Sequence, residues 1–165
     1  MSSKAALSMP TIACPCGSDL AYRDCCAPLH SGAPAVTAQA LMRARYCAYV
    51  MGDNAFIAAS WHATTRPPLA DLERDASPQA RTRWLGLDIK RHETAGDSAT
   101  VEFIARFKTG GRAERLHEVS RFVREDGFWW YVDGSFPTAE MPRTKAAGKV
   151  DYKTAATAEA KAKTQ

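Results

Sequence analysis

Two rhythms of apolar residues run along the chain. From Ala38 to Tyr49 they recur at helical spacing, with Ala38, Met42, Tyr46 and Tyr49 on one face. Thr37 precedes that face as an N-cap, and Gly52-Asp53 ends it. Asn54 to Trp61 reads as a second, shorter helical piece. In RPPLADLERDASPQ, Pro67-Pro68 and Ser77-Pro78 punctuate a loop with one helical turn between them.

Beyond Arg81 the period becomes two. Leu85, Leu87 and Ile89 alternate with Trp84, Gly86 and Asp88. Val101, Phe103, Ala105 and Phe107 alternate with Glu102, Ile104, Arg106 and Lys108. Gly110-Gly111 marks a hairpin, RLHEVSRFVR and GFWWYVDG read as two further strands, and Asp126-Gly127 is the tight turn joining them. Helices followed by an antiparallel run of four strands predict an α+β fold, a curved sheet wrapped on helices. Three parts are expected: 1–34, closed by Pro28, Gly32 and Pro34; a body at 35–137; and a tail at 138–165.

Charge belongs to the tail. The net charge is +4, and residues 141–165 carry six Lys/Arg against two Asp/Glu, so the other residues sum to zero. A basic folded face for nucleic acid is therefore not indicated. The tail is Ala/Lys/Thr-rich with little to bury and is expected to be solvated. A nucleic-acid or ribosome contact through it is the weaker expectation. No apolar run reaches the length of a membrane span, and the first residues lack a signal-peptide core, so the expected compartment is the cytoplasm.

The stretch CPCGSDLAYRDCC holds four of the five cysteines, at Cys14, Cys16, Cys25 and Cys26. Thiolates bind zinc tetrahedrally at about 2.3 Å. Gly17 lets the chain turn tightly after Cys16, and Ser18 is placed to cap a short helical return to Cys25-Cys26. Four thiolates with no open position describe a structural ion. Disulfides fit a cytosolic chain less well, and an odd cysteine count leaves one unpaired. A strained Cys25–Cys26 vicinal disulfide is the remaining alternative. Cys47, on the first helix, reads as a small buried apolar residue.

Cys14, Pro15, Cys16, Gly17, Ser18, Tyr22, Cys25 and Cys26 together resemble the SEC-C motif. That resemblance implies zinc on Cys14, Cys16, Cys25 and Cys26. It also implies a docking role, since the preprotein translocase ATPase carries the motif as a module that contacts a chaperone and the ribosome. Asp19-Leu20-Ala21 stands where the motif usually has Gly and basic residues, so a basic contact surface does not carry over.

The body resembles the YchJ-like family, bacterial proteins of uncharacterised function that join a SEC-C motif to an NTF2-like domain. LMRARYCAYVMGD, Trp61-His62, Arg83-Trp84-Leu85, Val101-Glu102-Phe103 and HEVSRFVREDGFWWYVDG carry the resemblance. It implies a cone-shaped half-barrel with an open mouth. Some members have a second SEC-C motif at the C-terminus, and this chain has the Ala/Lys tail there, so a single metal site is expected.

On 116–123, Leu116, Glu118, Ser120 and Phe122 share one face, and the apolar pair marks it as interior. Glu118 and Ser120 then sit inside an apolar cone, where a carboxylate needs a partner. Arg106, Arg66 or His62 is the expected partner. A cross-strand ion pair without chemistry is the simpler reading of Glu118. His117-Glu118 is not a metalloprotease helix, because position 121 is Arg121 and the segment reads as strand. No phosphate-binding loop is present. The leading expectation is a non-enzymatic zinc protein that docks a protein partner. The alternative is an isomerase, dehydratase or hydrolase acting on a small apolar ligand in the cone, with Glu118 or His62 as acid or base.

Overall fold

The computed structural model describes residues 12–75 and 82–137. Residues 1–11, the Ser77-Pro78 turn and the basic segment 138–165 lie outside the described residues. Helices α1 (Ala27–His30), α2 (Ala38–Met51), α3 (Asn54–Ala59) and α4 (Leu69–Asp75) precede strands β1 (Arg83–Ala95), β2 (Ser98–Thr109), β3 (Arg112–Glu125) and β4 (Phe128–Ser135). Among the described residues no helix is long and apolar enough to cross a membrane.

The caps explain the helix boundaries. The Thr37 hydroxyl accepts the Ala40 N–H at 3.0 Å, and Gly52 ends α2 in the left-handed conformation at φ 73°. The Asp53 carboxylate then accepts the Phe56 N–H at 2.9 Å and starts α3. Between Pro68 and the end of the described segment, α4 spans seven residues, longer than the single turn expected.

The strands form one antiparallel sheet in the order β1-β2-β3-β4. Asp126 and Gly127 both take positive φ, as a two-residue hairpin turn requires, and so do Gly110 and Gly111. Helix α2 packs against β1, β2 and β4, so the sheet wraps it. Val101, Phe103, Ala105 and Phe122 supply the inward face, with Leu41, Met42 and Tyr46 from α2.

The register of β1 against β2 breaks twice, between Trp84 and Gly86 and between Ile89 and Arg91. The first break is a bulge that leaves Leu85 45% exposed. Trp84 thereby packs on the core together with Leu87 and Ile89, although simple alternation sets them on opposite faces. A further bulge falls in β4 at Val132, between the Arg121–Asp133 and Phe122–Tyr131 pairs. Its carbonyl accepts from Trp61 Nε1 at 3.2 Å and Thr65 Oγ1 at 2.6 Å, tying the loop after α3 to β4.

Candidate metal centre

A small hairpin sets out the first two sulfurs. The Cys14 N–H donates to the Leu20 carbonyl at 2.8 Å, and the Tyr22 N–H donates to the Ile12 carbonyl at 2.9 Å. Gly17 turns the chain at φ 70° and returns its N–H to the Cys14 carbonyl at 3.2 Å. A 3-10 turn at Tyr22–Asp24 then delivers Cys25 and Cys26, and Cys26 caps α1.

This hairpin has no core of its own. Cys14, Cys16 and Cys26 belong to the same buried cluster as Leu41, Met42 and Phe103. Two polar contacts fasten it to α2. Arg43 Nη1 donates to the Cys16 carbonyl at 2.7 Å. His30 Nε2 lies 2.9 Å from the Ala44 carbonyl, while its Nδ1 lies 2.8 Å from the Tyr22 hydroxyl. A carbonyl only accepts, so Nε2 carries the proton and a neutral ring leaves Nδ1 to accept from Tyr22.

The sulfurs of Cys14, Cys16, Cys26 and Cys47 all lie within 4.8 Å of one another, and all four residues are buried. Cys47, expected as an apolar filler, is fully buried, but its sulfur is 3.4 Å from that of Cys14. Cys25, expected as a ligand, sits at the edge of the group. Its sulfur is 3.6 Å from Cys16 Sγ, 3.8 Å from Cys26 Sγ and 3.1 Å from the Ser18 hydroxyl, and the residue is half-buried. All five cysteines are free thiols.

Tetrahedral geometry with metal–sulfur bonds of about 2.3 Å sets neighbouring sulfurs about 3.8 Å apart. The observed separations bracket that value, so the donor set fits a thiophilic cation. Hydrogen bonds from the Cys26 and Cys47 thiols hold Cys16 far below the ordinary thiol range. The same bond to Cys16 drives Cys26 far above it, and contact with Cys16 raises Cys47. Burial pushes Cys25 up. A pocket that gathers anion-forming sulfurs away from water requires a bound cation to hold more than one thiolate.

The cone is occupied differently. Glu118 is 8% exposed and Ser120 is fully buried, on the inward face expected for them. The carboxylate partners expected for Glu118 are replaced by two hydroxyls. Ser120 donates to its Oε1 at 2.7 Å and Tyr131 at 3.0 Å. Arg66 instead donates to the Trp61 carbonyl at 3.2 Å, and Arg106 is exposed on the outer face of β2. His62 pairs with Glu125 at 3.2 Å and with Thr64 at 2.7 Å. Glu118 and His62 thus hold separate sets of partners. His117, on the outer face, bonds Glu102 at 2.8 Å.

Arg45 is the buried cation that periodicity did not single out. It is 2% exposed, donates to the Ile57 carbonyl at 3.0 Å and to Ser60 Oγ at 2.6 Å, and lies 4.2 Å from the Tyr131 ring centroid. Tyr131 therefore has a guanidinium over its face and a carboxylate at its hydroxyl. Burial, then the Glu118 charge, raises its phenol well above the ordinary range. An open groove of about 510 Å³ runs between Leu29–Ala35, α3 and the start of β4, with Ser60, the Arg45 partner, in its lining.

A SEC-C motif model matches residues 12–28, and a model described as YchJ, middle NTF2-like domain, matches residues 37–134. The UPF0225 protein RSc0270 of Ralstonia nicotianae is 54% identical over 135 residues, covering 76% of this chain and 92% of that relative. The chain belongs to the UPF0225, YchJ-like family. The UPF0225 protein XCC4159 of Xanthomonas campestris is 50% identical over 128 residues, covering 76% of this chain and 96% of the other. The solution structure of RPA3114, a SEC-C motif containing protein from Rhodopseudomonas palustris, aligns with TM-score 0.69 at 32% identity, over 76% of this chain and 98% of that one. A crystal structure of a SEC-C motif containing protein from Psychrobacter arcticus aligns with TM-score 0.63 at 30% identity, over 87% and 90% of the two chains.

The two matched regions meet at the sulfurs. Cys14, Cys16 and Cys26 fall within the SEC-C match, and Cys47 falls within the NTF2-like match. Spacing alone could not bring Cys47 forward, because the contact joins residues 33 positions apart. Its only sequence-level signal was a fifth thiol on the buried side of a helix.

Proposed function

We propose that this chain is a non-enzymatic cytoplasmic zinc protein whose SEC-C module, ordered by one structural zinc ion, docks a protein partner. The carrying observation is the group of four buried sulfurs within 4.8 Å of one another. Sulfur donors without carboxylate or imidazole favour zinc over harder cations. A closed thiolate set leaves no position for substrate, which favours a structural ion over a catalytic one. The cytoplasm keeps such thiols reduced. The docking role rests on the SEC-C resemblance and on the exposed side chains of the module, including Ile12 and Leu20. In the cone, the buried carboxylate is engaged by two hydroxyls, an arrangement that serves packing without a reacting partner.

Elemental analysis of the full chain, purified without chelator or oxidant, tests the metal directly. About one equivalent of zinc is expected; less than half an equivalent sinks the reading. Crosslinking in cells with the intact chain and with Cys16→Ser tests the docking role. Loss of a partner in the variant is expected, and an unchanged partner set contradicts it.

A further inference from the structure

Resting on the metal reading above, we propose that the ion is shared between the two matched regions. Cys14, Cys16 and Cys26 hold it from the SEC-C side and Cys47 from helix α2, while Cys25 stays outside the coordination sphere as an accessible thiol.

Five sulfurs compete for four positions in a tetrahedral site. Distance alone does not separate Cys25 from Cys47, since each has a sulfur neighbour closer than 4 Å. Burial and alternative partners do. Cys47 is 0% exposed, inside the group whose sulfurs are all mutually close. Cys25 is half-buried and already has the Ser18 hydroxyl at 3.1 Å. An ion at the centre of the mutually close set is closed from water on all sides. Using Cys25 in place of Cys47 draws the ion toward the surface and leaves a fully buried thiol behind.

The position of Cys47 is also preset. Arg43 holds the Cys16 carbonyl and the Ala44 carbonyl holds His30, so residues four and three positions before Cys47 already fasten the module to α2. One helical turn further, Cys47 presents its sulfur on the same side. The Arg43 guanidinium also places positive charge beside Cys16, which offsets part of the excess negative charge of four thiolates around a divalent ion. The consequence is a metal clasp: binding orders the hairpin and docks it on the domain in one step. The module then depends on the domain for a ligand, and the domain's helix gains a cross-link to residues that have no core of their own.

Cadmium-113 substitution of the full chain reads the ligands individually. Correlations from one cadmium resonance to the β-protons of Cys14, Cys16, Cys26 and Cys47, and none to Cys25, are expected. Correlations to Cys25 and none to Cys47 overturn the proposal while leaving the metal reading intact. No bound cadmium or zinc overturns both.

Variants give a second readout. Cys25→Ser should bind cobalt within about twofold of wild type, with the absorption of a four-sulfur site. Cys47→Ser should weaken binding on the order of 100-fold or more. Alkylation of the metal-loaded chain should modify Cys25 alone and leave the metal bound. Protection of Cys25, with metal loss in Cys25→Ser, contradicts the proposal.

Discussion

Cys47 Sγ lies 3.4 Å from Cys14 Sγ, joining the middle of helix α2 to the first strand of a hairpin that cannot bury itself. The hairpin contributes mainly sulfur and a few ring atoms to the common core. On the proposed metal reading, its order depends on what the sulfurs hold.

Metal removal is expected to act locally. Stripping the ion with a chelator should abolish amide protection in residues 12–30, while β2 and β3 keep theirs. Hydrogen exchange followed by mass spectrometry checks this. Uniform loss across the sheet, or no loss in the hairpin, contradicts the clasp.

Arg43 is placed to support the proposed metal site through the Cys16 backbone, not as a ligand. Arg43→Met removes the 2.7 Å bond to the Cys16 carbonyl and the adjacent charge. Outer partners of metal ligands typically contribute about 10–100-fold in affinity. Zinc competition with a chromogenic chelator should show a loss in that range, with the metal stoichiometry unchanged at saturation.

Gly134 makes room for Glu118. A Cβ at Gly134 would overlap the Glu118 carboxylate. Gly134→Ala should cost about 1–3 kcal/mol by overpacking. Glu118→Ala should recover much of that cost when the two are combined, because it deletes the overlapping atoms. Urea denaturation of the four species of the cycle measures the coupling, and strict additivity would show that the overlap is relieved elsewhere.

Tyr131 sets an alkaline limit. Its phenol is raised above 10.0 in the folded state by burial and then by Glu118. Below that pH both folded and unfolded forms hold the proton, and the stabilising contribution is complete. Above it the unfolded chain releases a proton that the folded chain retains, so stability falls as pH rises. Tyr131→Phe should flatten this decline above about pH 10. At neutral pH it should cost about 1–3 kcal/mol, by leaving Glu118 one donor short. Denaturation midpoints across pH 7–11 test both parts.

Much of the fold could be read along the chain because its signals are local. Thr37, Gly52 and the Asp126-Gly127 turn act on their immediate neighbours, and each sits where expected. Alternation also placed Glu118 and Ser120 inward. Leu85 leaves the face of Leu87 and Ile89 because a bulge changes which residues share a face, and Gly86 inside the strand is its local mark. The partners of Glu118 depend on the β3–β4 register and on the bulge at Val132, both tertiary facts. The hairpin's cysteines announced themselves by crowding, whereas Cys47 reaches them only after α2 and the hairpin dock. His30 and Arg43, which fasten the two together, look like ordinary surface residues until that docking is seen.

X-ray absorption at the zinc edge of the full chain, purified without chelator, tests the central claim most directly. About one equivalent of zinc with four sulfur neighbours near 2.3 Å, and no lighter scatterer in the first shell, is the result this account predicts. Fewer than half an equivalent of zinc, or nitrogen and oxygen in the first shell, would contradict it.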